Sequence, residues 1–495
     1  MDIYELEPKS VWKHFYTICS IPHPSHHEEA LAKAIIAWAQ ERKLFATSDK
    51  AGNVVIRKPA SSGMEDSPGV ILQAHLDMVP QKATDVSHDF EKDPIRARID
   101  PANPSWLVAT GTTLGADNGI GVAMAMAILE DDNIAHGPLH CLFTVNEEDG
   151  MGGARAVEPD LLSGNLLLNL DGEDVGELTI GCAGTIRTGA SLSSPASSVP
   201  DTVEWFEVTI EGLLGGHSGV DIDKGRANAT LALISILSKT RERLYLSDIV
   251  GGTAANAIPR EARATIGIES GNYAAFKTSF SSGLSALRIA LGQKDPGLLG
   301  AVTPLGSHSL YPSKALAPEA TNSMMTVLSA LPNGLVAMET NMPGLIRTSL
   351  NLGQLAGSVS DELFELKTMV LVRSSSDAEK ESLSTTVEKR LEGAADHGWK
   401  VSTRRLSESP AWSPDPSSLL LAEAHKLYRE MFGKEPRVTS THGGLETGLF
   451  RARFPAWDML SLGPTIRHPH SPNERLDIAS VRLSYRYLTA LLSRL

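Results

Sequence analysis

Cysteine is nearly absent: Cys19, Cys141 and Cys182 are the whole complement. Three thiols cannot form an even disulfide set, and their spacing contains no Cys-x-x-Cys ligand pair. Long apolar runs are missing too. The longest, residues 120–129, falls short of the ~18–20 residues a membrane-spanning helix needs and reads as a buried helix. Positive charge is in deficit, with 45 Lys and Arg against 59 Asp and Glu, a formal net charge of −14. An acidic chain repels phosphate backbones and anionic membranes, so neither nucleic acid nor membrane is the expected partner. The opening MDIYELEPKS lacks a basic segment leading into an apolar one, so no secretory signal is read and cytoplasm is the expected location.

What is present is ordinary globular composition, 42 % hydrophobic and 21 % charged, which argues against disorder or a fibrous class. Ser25-x-x-Glu28 reads as a capping box opening a helix that runs to about Arg42. Apolar runs at 53–57, 70–74, 139–145 and 166–170 read as strands, with an apolar helix beginning near Asn118. Strands alternating with helices indicate an α/β sheet between helices. Composition shifts at Arg187, where TGASLSSPASSVPD reads as a Ser/Pro-rich linker. Further strands are expected at 203–210, 263–268, 366–373 and 399–404, and helices at 225–240 and 377–391. The expected organisation is therefore a catalytic domain over 1–186 and 406–495, carrying a mostly parallel sheet. An inserted α+β lid domain spans 187–405, less regular near 270–335.

Chemistry-bearing residues collect at predicted strand ends. His75 and Asp77 lie two apart on a strand and so share a face. A carboxylate beside an imidazole is the arrangement that orients a metal-binding histidine, although an isolated His-x-Asp is more often a surface or core pair. Asp117 sits where a Gly-rich loop becomes a helix, a place where Asp also serves as a plain N-cap. That loop lacks the Lys-Ser/Thr of a phosphate-binding loop. Glu147, Glu148 and Asp149 follow a strand consecutively, a costly repulsion unless a cation compensates. Asp171 ends another strand, and His470 lies in a loop stiffened by Pro469 and Pro472. Functional groups of α/β sheets gather at the carboxyl ends of strands. Two histidines and three carboxylates suit a pair of zinc ions bridged by one carboxylate. Three carboxylates nearly neutralise the pair, leaving Glu147 free as general base. Manganese or cobalt would be accepted by the same oxygen and nitrogen donors.

The motifs HLDMVPQK, HDFEKDPI, GTTLGADNGIG, NEEDGMGGA, NLDGED, GELTIGCAG, GGHSGVDID, HGGLETGLF and HSPNE, in this order, carry a family resemblance. The chain resembles the zinc aminopeptidase and carboxypeptidase family of carnosinases, aminoacylases and bacterial di- and tripeptidases, and within it the aminoacyl-histidine dipeptidase branch. The resemblance implies His75 and Asp171 on one zinc, Glu148 and His470 on the other, and Asp117 bridging through a cis Asp117–Asn118 peptide. It makes Asp77 the group that orients His75, and Glu147 the proton shuttle. It further implies that His217 of the lid holds the oxyanion, and that Asn256 and Arg373 contact substrate, Arg373 through its C-terminal carboxylate. Gly443, Gly444 and Glu446 would floor the carboxylate pocket. Gly443 and Thr447 depart from the Ala and Cys common in related chains. Gly-His-Ser-Gly lacks the spacing of a serine nucleophile motif. The expected activity is hydrolysis of unblocked dipeptides, Xaa-His among them, by a homodimer with two zinc ions per subunit. A tripeptidase, an N-acyl amino-acid deacylase and a catalytically silent peptide-binding protein are the alternatives.

Overall fold

Strands buried on both faces read as unbroken apolar runs and pair in parallel. Val70–His75 and Leu139–Thr144 are such runs, buried at every position. They sit at the centre of an eight-stranded sheet in the computed structural model, which describes residues 3–305, 313–340 and 342–495. Across that sheet the order is Phe45–Ser48, Val54–Lys58, Leu139–Thr144, Val70–His75, Leu166–Asn169, Asp458–Ser461, Glu177–Cys182 and Arg437–Thr441. The four strands from Leu139–Thr144 to Asp458–Ser461 are mutually parallel. Val54–Lys58 flanks this core antiparallel on one side, and Glu177–Cys182 does so on the other. The mostly parallel α/β sheet is thus present as expected.

Register decides what the sheet can do. His75 pairs with Thr144, and Gln73 with Asn169. The loops that follow these three strands, carrying Asp77, Glu147–Glu148 and Asp171, therefore leave the sheet side by side. Helix Ala116–Glu130 is buried from Ala116 through Leu129. A helix apolar on all sides belongs inside a core, as read from residues 120–129. Among the described residues no helix is long and apolar enough to cross a membrane.

The chain forms two compact units. One comprises Met1–Gly181, Trp412–Ser440 and Leu445–Leu495; the other comprises Cys182–Ala411 and Thr441–Gly444. The second unit is built on an antiparallel sheet ordered Leu299–Pro304, Val203–Glu211, Ala262–Glu269, Leu244–Gly251, Lys314–Leu316, Gly184–Ser198, Leu363–Ser374, Ile346–Ser360 and Gly334–Met338. Lys400–Ser409 pairs with Gly184–Ser198 from the other side. Helices Ala229–Leu237, Tyr273–Leu291, Pro318–Ser329 and Asp377–Glu392 contribute Leu233, Phe276, Met325 and Val387 to the core they share with the sheet.

Three readings of the sequence need correction. The expected Ser/Pro-rich linker is the long strand Gly184–Ser198, because Ile186, Thr188, Ala190, Leu192 and Ser194 alternate inward and are all buried. Small hydroxyl side chains fit a strand flanked on both sides, and composition alone hid the period of two. The stretch near 270–335 is regular where described, carrying helices Tyr273–Leu291 and Pro318–Ser329; residues 306–312 of it lie outside the described residues. Tyr273–Leu291 buries only Phe276, Phe280 and Leu284, one apolar residue per turn, too sparse to announce a helix. Finally, the helix after Ser25 is Glu29–Glu41, and neither Ser25 nor Glu28 makes a side-chain capping bond.

One close approach pins the loop that follows Asp171. A methyl added at Gly463 would be driven into the Gly172 carbonyl oxygen, backbone against backbone, with no flexible side chain to yield. Gly463→Ala is expected to cost about 1–3 kcal/mol by overpacking, read as a lowered midpoint of thermal unfolding. A wild-type midpoint would show that these two segments are free to separate.

Candidate metal centre

The first unit brings His75, Asp77, Asp117, Glu147, Glu148, Asp171 and His470 together. Asp117 is at its centre. One carboxylate oxygen lies 3.2 Å from His75 Nε2 and the other 3.1 Å from His470 Nε2. His75 Nε2 is also 3.4 Å from Asp171 Oδ1, and His470 Nε2 is 2.9 Å from Glu148 Oε1. The arrangement is thus two imidazole–carboxylate clusters sharing one carboxylate.

Asp117 does not cap its helix, contrary to the simplest reading of an Asp at that place. Glu474 does so from across the chain. Its two carboxylate oxygens accept the backbone N–H groups of Leu114, Gly115, Ala116 and Asp117 at 2.7, 3.0, 2.8 and 3.3 Å. These are orphan donors of a helix start, and satisfying them from outside leaves the Asp117 side chain unengaged by its own helix. The Asp117–Asn118 peptide is cis. Asn118 Nδ2 then donates to the Leu170 carbonyl oxygen and to Asp171 Oδ1, at 2.9 and 2.8 Å.

Asp77 organises the opposite side. His75 Nδ1 donates to the Asp77 carbonyl oxygen at 3.0 Å, which leaves Nε2 as the nitrogen with a lone pair for a cation. The Asp77 carboxylate accepts the N–H of Glu147 at 2.8 Å and of Glu148 at 3.1 Å, and the hydroxyl of Ser25 at 2.8 Å. Burial opposes its ionisation, but His75, the Glu147 N–H and Ser25 outweigh it and hold the carboxyl at about 2.

The electrostatics call for positive charge. Burial pushes the Asp171 carboxyl up to about 7, with Asp117 adding to it. Glu173, unassigned in the sequence reading, is raised to about 8 by burial and by Asp117 and Asp171. Glu147 is raised well above the carboxylate range by burial first, then by Asp171, Glu446 and Glu148 against the opposing pull of His75. His75 is shifted the other way: burial lowers it, yet Asp171, Asp117 and Asp77 carry it well above the usual imidazole value. The neighbouring carboxylates of Asp117 and Glu148 lift His470 to about 11.

The residues present fit a divalent ion. His75, Asp117 and Glu148 each offer a ligand atom, all within 4.8 Å of one another. Glu148 Oε1 is buried and, despite lying near His470, makes no well-aligned hydrogen bond. A buried carboxylate oxygen without such a bond, beside a second ligand, has the donor character a cation satisfies.

Glu446 corrects an expectation. It does not line a pocket for a substrate carboxylate; it is 1 % exposed and accepts from Gln73 Nε2 at 2.5 Å and Thr144 Oγ1 at 2.8 Å. Gln73 in turn accepts from Asn169 Nδ2 at 2.6 Å. Glu446 therefore belongs to a polar layer two residues below His75 and Asp171, its carboxyl raised to about 8 by burial.

His217, Asn256, Arg373 and Gly444 belong to the second unit. Gly216–His217 pairs antiparallel with Ala257–Ile258, and Ser218 N–H donates to the Asn256 carbonyl oxygen at 2.8 Å. His217 and Asn256 are exposed, as is Gly444. Arg373 is 6 % exposed and donates to Ser218 Oγ and to the His442 carbonyl oxygen, both at 3.4 Å. Among the described residues it has no carboxylate partner. Burial, with Arg187 nearby, lowers it to about 10.

Comparison with known proteins agrees with this chemistry. The model of Peptidase family M20/M25/M40 matches residues 71–494. The cytosol non-specific dipeptidase of Escherichia coli strain K12 is 40 % identical over 498 residues, covering 100 % of this chain and 99 % of the relative. The crystal structure of aminoacylhistidine dipeptidase from Vibrio alginolyticus matches with a TM-score of 0.88 and 37 % identity, over 100 % of this chain and 98 % of that one. A tripeptidase from Staphylococcus aureus shares the fold at a TM-score of 0.62 and 14 % identity, over 99 % of this chain and 98 % of that one. With a family model matched over most of its length and a relative aligned from end to end, the chain belongs to Peptidase family M20/M25/M40.

Proposed function

We propose that this metallopeptidase hydrolyses dipeptides with free termini, Xaa-His among them, using two zinc ions. The observation that carries the reading is Asp117, whose two oxygens face His75 on one side and His470 on the other. His75 and Asp171 would hold one ion, Glu148 and His470 the other, with Asp117 shared. Ions bound there would lower the pKa of water toward ~7 and polarise the scissile carbonyl. Manganese or cobalt would serve the same donors.

Glu147 takes the proton released as water attacks the peptide carbon and delivers it to the departing amine. Its neighbour Glu148 would hold the metal, Asp77 accepting the two successive N–H groups of this pair. His217 takes the role of donating a hydrogen bond to the carbonyl oxygen as it gains charge. The Arg373 guanidinium takes the C-terminal carboxylate. A buried guanidinium without an anionic partner supports that role, and Asn256 and Gly444 complete the substrate contacts. A cytosolic location accords with the cytosolic relative.

Glu147→Ala is expected to keep its metal, measured by elemental analysis, while losing nearly all turnover; wild-type-like hydrolysis would remove Glu147 from the mechanism. His217→Ala should lower kcat by about 10²–10³-fold, as loss of an oxyanion donor does, with a smaller change in KM. An unchanged kcat would end that assignment. A panel of dipeptides, a tripeptide and N-acetyl amino acids tests the substrate class. Dipeptides should be hydrolysed fastest, and a preference for N-acetyl amino acids or the tripeptide would replace the proposed activity.

A further inference from the structure

Ser25 and Glu28 make none of the capping bonds their spacing announces, and both turn toward the acidic loop instead. Three consecutive backbone N–H groups of that loop are each accepted by a distant carboxylate. Asn146 N–H donates to Glu28 Oε1 at 2.7 Å. Glu147 and Glu148 N–H donate to the two oxygens of Asp77 at 2.8 and 3.1 Å. Ser25 Oγ donates to Asp77 Oδ2 at 2.8 Å, the same oxygen that holds Glu148.

The segment carrying these residues is itself anchored. Met78 N–H donates to the His23 carbonyl oxygen at 3.2 Å, and Pro24 bridges to Met78. Glu28 is 5 % exposed and Asp77 is 1 % exposed, so these charge-assisted bonds act away from bulk water, where they are strongest. The loop needs such support. Asn146 has φ +53°, a left-handed conformation unfavourable for a non-glycine residue, and the three acids after it repel one another.

We infer that Ser25 and Glu28 are positioning residues for the reaction. Ser25 acts through the Asp77 carboxylate and Glu28 through the Asn146 backbone, and together they set Glu147 apart from Glu148. Adjacent acids can divide proton transfer from metal binding only if the peptide between them is held in one orientation. The inference rests on the proposed reading of Glu147 as base.

The test compares Ser25→Ala and Glu28→Ala with their conservative counterparts Ser25→Thr and Glu28→Gln, in zinc-loaded enzyme on a dipeptide. Loss of either anchor is expected to lower kcat about 10-fold or more, the scale of losing an outer-shell partner. KM should stay within about two-fold, and metal content and thermal midpoint should stay near wild type. A threonine keeps the donating hydroxyl and a glutamine keeps an accepting oxygen, so Ser25→Thr and Glu28→Gln should recover most of the rate. Ser25→Ala added to Glu147→Ala should cause no further loss. Wild-type kcat in Ser25→Ala, or a kcat falling only in step with lost metal or lost folded protein, overturns the inference. So does an equal loss of residual rate in the Glu147→Ala background. If Glu147→Ala alone turns over like wild type, the base assignment itself fails, an outcome distinct from failure of the anchors.

Discussion

The carboxylate of Asp117 faces two imidazoles, and that depends on its being excused from capping its own helix. An aspartate at a helix start ordinarily turns back onto the first N–H groups. Here Glu474 takes all four, from Leu114 to Asp117. The same carboxylate lies shortly after His470, so one group fixes the turn that carries Asp117 and adjoins the loop that carries His470. This anchor joins the His470–Asp117 contact in tying the two segments together.

Around it the protein concentrates acids beyond what isolated carboxylates tolerate. Asp171, Glu173, Glu446 and Glu474 are all pushed up to between about 7 and about 8, burial being the first cause in each. Asp117 is held down instead by His470 and His75 against its burial, and Asp77 is held down too. Burial opposes the Asp77 charge as well, but His75, backbone N–H groups and Ser25 bond to the charged form and hold it at about 2. The polar layer of Gln73, Thr144, Asn169 and Glu446 lies directly beneath and links neighbouring strands through side chains.

Much of this centre was legible in the sequence because it obeys local rules. An apolar run buried on both faces becomes a parallel strand, and the acid or histidine after it arrives at a common edge. Ser25 and Glu28 were legible as a pair but not in their use, since the spacing of a capping box says nothing of a carboxylate in the loop after Val70–His75 competing for the hydroxyl. Glu474 was invisible, because its partners are backbone groups far away in the chain. Gly184–Ser198 misled through composition, and Tyr273–Leu291 through the sparseness of its apolar stripe. His217, Asn256 and Arg373 followed from family resemblance, with no spacing rule of their own; the burial of Arg373 without a carboxylate partner among the described residues gives one of them an independent physical sign.

The division of the first unit by the second has a consequence for the order of events during synthesis. Translation delivers His75, Asp117, Glu148 and Asp171 early, but His470 and Glu474 only after the whole of the inserted segment has left the ribosome. Until then the nascent chain carries one imidazole among several converging acids, and the turn at Asp117 has no external cap. A chain cut short before residue 470 therefore lacks both His470 and Glu474, the two groups that meet Asp117 from the far end of the sequence.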